Sequence, residues 1–87
     1  MATKTTVKNL NTVVLIYDEV GGVYSVPITL QNDASAVRYF DVKCQSDPYS
    51  KDYKLYKLGS YDPDTGKLVV LEELELLSRG DKHVKKA

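Results

Sequence analysis

Tryptophan is missing from this chain, and cysteine, histidine, methionine and phenylalanine occur once each. The lone Cys44 excludes an internal disulfide framework and any multi-cysteine metal site, and it fits a reducing compartment. Net charge is also missing: 12 Lys and Arg balance 12 Asp and Glu. That balance excludes a uniformly cationic nucleic-acid coat and an acidic disordered tail. No apolar run approaches the roughly 20 residues a bilayer-spanning helix needs, and the polar stretch Met1–Asn11 holds no signal-peptide core.

Catalytic patterns are equally scarce. Gly21-Gly22 and the isolated Gly59, Gly66 and Gly80 lack the spacing and the Lys-Ser/Thr of a phosphate loop. His83 stands among lysines and reads as a solvated residue, which leaves no Ser/His/Asp arrangement. Asp62 and Asp64 flank Pro63, but the series of acidic ligands of a calcium loop is absent, so they read as turn formers. Cys44 falls on the apolar stripe of a predicted helix and reads as a small core residue. The expectation is a nonenzymatic protein without metal or cofactor.

The 87 residues allow one domain. Residues 1–11, rich in Thr, Lys and Asn, are expected to form a flexible arm, residues 12–79 the domain, and residues 80–87 a basic, frayed tail. Thr12–Tyr17 is short, β-branched and apolar on both faces, which predicts a doubly buried strand. Gly21-Gly22 turns the chain, and Val23–Leu30 predicts a second strand that Pro27 confines to an edge or a bulge. Asn32 or Asp33 can cap a helix over 34–45, with Ala36, Val37, Phe40 and Cys44 on one stripe and Pro48 beyond its end. Lys51–Tyr61 and Lys67–Leu71 predict a hairpin about Asp62–Gly66. Leu68, Leu71, Leu74 and Leu77 recur at threes with glutamates between them, which predicts a short helix from Glu72 to Ser78. The expected fold is α+β: a small antiparallel sheet of about four strands in ββαββ order, one main helix and a short C-terminal helix.

What the chain does have is tyrosine, seven in all. From Tyr49 to Tyr61 they interleave with lysine, and ring faces beside cations are what a single-stranded nucleic-acid site needs. Strict alternation along this strand puts Tyr53, Leu55, Lys57 and Tyr61 on one face, with Gly59 leaving room for a base. Lys54, Tyr56, Leu58 and Ser60 then take the other. Tyrosine and lysine also suit an ordinary edge strand. Arg38 can pair with Asp41 along its helix or direct its donors at a phosphate. The candidate nucleic-acid contacts are Arg38, Tyr53, Lys54, Tyr56, Lys57 and Tyr61, with Lys82, Lys85 and Lys86 of the tail adding electrostatic attraction. One helix covers only one sheet face, so Val14, Ile16, Leu71, Leu74 and Leu77 are expected at the interface of a homodimer or higher oligomer.

From Val14 to Lys67 the chain resembles the small nonstructural protein of gokushoviruses, single-stranded DNA phages of the Microviridae. The resemblance is carried by Tyr17-Asp18, Pro27, Gln31-Asn32-Asp33-Ala34, and Ala36-Val37-Arg38-Tyr39-Phe40. It continues through Asp47-Pro48, Asp52-Tyr53-Lys54-Leu55-Tyr56, Leu58-Gly59, Tyr61-Asp62 and Thr65-Gly66. It implies a protein of the infected host's cytoplasm that serves viral DNA synthesis or packaging, with no established catalytic residues. The N-terminal arm is longer here, and the connection between helix and third strand is shorter. The expected function is therefore single-stranded DNA binding during genome synthesis or packaging. The alternative is a protein-interaction factor that assists capsid assembly or packaging through viral capsid or replication proteins, without touching DNA.

Overall fold

A computed structural model describes residues 10–83. The elements run β1 (Asn11–Asp18), β2 (Val23–Tyr24), β3 (Ile28–Leu30), α1 (Asp33–Ser46), β4 (Tyr53–Asp62) and β5 (Lys67–Arg79). Short 3-10 turns at Ser50–Asp52 and Gly80–His83 complete the set. The sheet is antiparallel, in the order β2-β1-β4-β5, with β3 also pairing β1. The α+β class and the helix on one face are as expected.

Each local element has a readable cause. Asn32 caps α1 by accepting the Ser35 amide at 2.8 Å, which leaves Asp33 as the first helical residue, where its charge meets the positive end of the helix dipole. Ala36, Phe40 and Cys44 face the sheet and close on Val14, Ile16 and Leu55. Phe40, Leu55 and Val14 are completely buried. The second strand is broken where Pro27 cannot donate, into β2 and β3. Between them Ser25 substitutes for the ladder: its Oγ accepts the Ile16 amide at 2.9 Å, and its own amide donates to the Ile16 carbonyl at 2.8 Å. Gly66 closes the β4–β5 hairpin in the left-handed region, at φ 77°.

Four expectations need correction. The predicted helix over Glu72–Ser78 is strand: β5 pairs β4 through Glu75, Leu76 and Ser78. The leucine period of three reflects two irregularities in that strand and not a helical turn. Residues 71–74 stand opposite Leu58 alone, and Leu77 is an extra residue between the Tyr56–Leu76 and Leu55–Ser78 pairs.

The second correction concerns faces. Leu58 also bulges on the β1 side, because Val13 pairs Gly59 while Val14 pairs Lys57. The bulge reverses the alternation, so Gly59 and Tyr61 join Lys54 and Tyr56 and leave the Tyr53, Leu55, Lys57 face. Third, Val14 and Ile16 are core residues of the single chain, covered by α1, and are not available to an oligomer interface. Leu77 packs on the same core, and Leu71 and Leu74 are half-buried. Fourth, the domain runs past both expected limits. Asn11 opens β1, and Gly80 is buried against the 3-10 turn at Ser50, where a Cβ would fall on the Ser50 carbonyl. The remainder of the expected arm, residues 1–9, and residues 84–87 of the tail lie outside the described residues.

Candidate nucleic-acid interface

The sheet divides the expected contacts between its two sides. On the α1 side, Tyr53 packs against the core, and its hydroxyl donates to Asp47 Oδ2 at 2.9 Å. That bond to a carboxylate, followed by burial, pushes the phenol up to about 12. Lys57 lies on the same side, where its Nζ reaches Asp33 at 3.2–3.3 Å. Asp33 also accepts Thr12 Oγ1 at 2.6 Å. These two residues therefore anchor α1 to the sheet. Arg38 is exposed on α1, on the turn opposite the Ala36, Phe40 and Cys44 stripe. The helix thus stands between Arg38 and the opposite side of the sheet.

Asp33 gives a test of this anchor. The Thr12 hydroxyl holds its carboxyl below the ordinary value of 3.8; desolvation opposes this, and the bond and charge of Lys57 add to the lowering. A depressed folded value stabilises the fold in full above the unfolded value, and that contribution is lost as pH falls through the folded one. Thermal melts should therefore lose stability as pH drops from about 5 through 3.8 and below. Asp33→Asn should flatten that part of the profile. An unchanged acid limb in the variant would show that the anchor carries no pH-dependent stability.

The open side of the sheet is where rings and cations meet. Register places Tyr24, Tyr17, Lys54 and Arg79 in one row across β2, β1, β4 and β5. The neighbouring row is Leu15, Tyr56 and Leu76. The Tyr17 and Tyr24 rings lie 4.5 Å apart at 41°, and Tyr56 stands edge-on to Tyr24 at 6.3 Å and 61°. Tyr24 is 50% exposed. Lys54 donates to Glu19 at 2.5 Å from the β1–β2 turn, and that bond raises its pKa. Arg79 is paired with Asp81 at 2.6 Å. Both pairs are open to solvent, where an ion pair contributes little and can exchange for another anion.

Of the six expected contacts, then, Lys54 and Tyr56 share this cluster. Tyr61 is on the same side but pairs with Asn11, at the far end of β1 from Tyr17. Gly59 does not leave room for a base: a Cβ there would fall on the Val69 carbonyl, so β5 itself occupies the space. Lys82 lies in the closing 3-10 turn, and Lys85 and Lys86 lie outside the described residues. Tyr17, Tyr24 and Arg79 were not among the expected contacts. The signal that could have found the first two is hairpin register: a Gly21-Gly22 turn that sets Asp18 against Val23 also sets Tyr17 against Tyr24.

Beside Tyr24, a cleft of about 310 Å³ opens between the β1–β2 hairpin and α1, lined in part by Asp18, Tyr39, Lys43 and Tyr53. Burial, then Asp41 and Asp47, push the Cys44 thiol up, so it stays protonated at neutral pH. Among the described residues no three His, Cys, Asp or Glu side chains gather as a metal site. No helix among them is long and apolar enough to cross a membrane.

An antiparallel sheet with one helix on one side and aromatic rings and cations on the other places the chain among small α+β domains. Residues 11–82 match the model of the family described as Phage ORF5 protein, and the chain belongs to that family. No curated protein and no solved structure matches it.

Proposed function

We propose that the chain is a nonenzymatic accessory protein of a gokushovirus-like phage that binds single-stranded DNA on the open face of its sheet. One observation carries this reading: the row Tyr24, Tyr17, Lys54, Arg79, with Tyr56 against Tyr24, on the face that α1 leaves uncovered. Bases would stack first on the exposed ring of Tyr24, beside the half-buried Tyr17 and Tyr56, and Lys54 and Arg79 would exchange Glu19 and Asp81 for phosphates. Every base offers a π-face, so binding would be tolerant of sequence. A duplex keeps its bases stacked inside and would bind more weakly. Membership of a phage family supports the setting, and genome synthesis or packaging is the step at which such a phage exposes single strands.

Titration of a labelled single-stranded oligonucleotide at several salt concentrations tests this. Two phosphate contacts give a slope of log affinity against log salt of roughly −1.4, and Lys54→Gln or Arg79→Gln should each shallow it by about 0.7. Glu19→Gln frees Lys54 and should raise affinity a few-fold at low salt. Absence of salt-dependent affinity at micromolar protein would overturn the proposal. It would leave the alternative of a protein-binding factor in capsid assembly or packaging, which the exposed apolar start of β5 favours.

A further inference from the structure

The two edges of the sheet are treated differently. The β2–β3 edge is interrupted by Ser25–Pro27 and so cannot extend the ladder. The other edge is β5, at 13 residues the longest strand, with no proline in it. Beyond Glu73 it carries Glu75 and Arg79, and irregular pairing with β4 at residues 71–74 and at Leu77 twists it. Before Glu72 it carries one charge, Lys67, at its start and is apolar after it. Leu68, Val69 and Val70 are 50%, 65% and 55% exposed. The cause is position. Helix α1 begins over Thr12 and Lys57, where Asp33 is anchored, and runs towards Tyr53, so the β4–β5 hairpin end lies beyond it.

We infer that this edge pairs with the β5 edge of a second copy of the chain, antiparallel and about a two-fold axis near Val70. Charge selects this occupant. The stretch 67–73 is basic at its start, apolar over Leu68–Leu71 and acidic at Glu72-Glu73. Its end charges therefore oppose one another only when the second copy is reversed. With Val70 on the axis, Val69 stands across from Leu71 of the partner subunit, and Lys67 stands across from Glu73 of the partner subunit, while Leu68 falls across from Glu72 of the partner subunit, whose carboxylate stays in solvent at the rim. Each contact occurs twice. A parallel arrangement would set lysine against lysine and glutamate against glutamate. Pairing satisfies the outward backbone groups of the edge and joins two sheets into one, with both tyrosine clusters on the same side. It uses none of the residues of the proposed DNA face, so either can hold without the other.

Sedimentation velocity of the full chain across micromolar concentrations tests it, with circular dichroism and melting temperature to confirm folding. The wild type should form a dimer, and Val70→Lys should sediment as a monomer. Lys67→Glu should lose the dimer at concentrations where the wild type forms it, and Lys67→Glu combined with Glu73→Lys should restore it. Should Val70→Lys fail to fold, the two exposed charge variants carry the test. A wild type that stays monomeric overturns the inference. So does a dimer that survives Val70→Lys or Lys67→Glu, which would belong to another surface. A charge swap that does not restore the dimer also overturns it.

Discussion

Phe40→Ala is expected to lower stability by about 3–5 kcal/mol, the range for emptying a fully enclosed aromatic site. Phe40 is the chain's one phenylalanine, completely buried at the centre of the α1–sheet contact among Val14, Ile16, Leu55 and Cys44. Those neighbours sit on strand and helix backbone, so the site relaxes only in part. A domain of this size has about 5–15 kcal/mol in all, so the loss is a large share of the total. In a thermal melt each kcal/mol is worth about 4–8 °C at this size, so the midpoint should fall by more than about 12 °C. A fall of only a few degrees would mean that α1 is not held to the sheet through Phe40.

Replacing both Tyr24 and Tyr56 by alanine should weaken oligonucleotide binding by at least about 30-fold, since each stacked base is worth about 1–3 kcal/mol. The two rings meet edge-on, so their effects are coupled and the double variant is the cleaner measurement. Neither ring is in the core cluster, so secondary structure and melting temperature should be nearly unchanged. Tyr53→Phe is the matched control. It removes the hydroxyl bonded to Asp47 on the α1 side and should leave DNA affinity as it is. Equal losses from Tyr53→Phe and the double variant would place the binding surface elsewhere.

Local signals made much of this fold legible. Asn32 marks the start of α1, the Ala36, Phe40 and Cys44 stripe marks its inner face, and Pro27 marks the break in the second strand. These depend on neighbours within a turn or two. The end of β5 departs from the expected helix because its leucine spacing is set by irregular pairing with β4, which no short-range pattern in 71–78 records. The same cause split the expected site. A bulge at Leu58 decides that Lys57 faces α1 while Gly59 and Tyr61 face away, and nothing in the Leu58-Gly59 sequence specifies which residue bulges. Interleaved Tyr and Lys in β4 supplied only one of the three clustered rings. The other two come from the Gly21-Gly22 hairpin, which is adjacent in space through β1 and not in sequence.

Chemical-shift mapping on the labelled full chain, with a short single-stranded oligonucleotide added stepwise, tests the proposed DNA face most directly. The expected result is saturable shifts at Leu15, Tyr17, Tyr24, Lys54, Tyr56 and Arg79, with Arg38 and the outer turns of α1 unmoved. Shifts confined to α1, or none at any concentration, would contradict it.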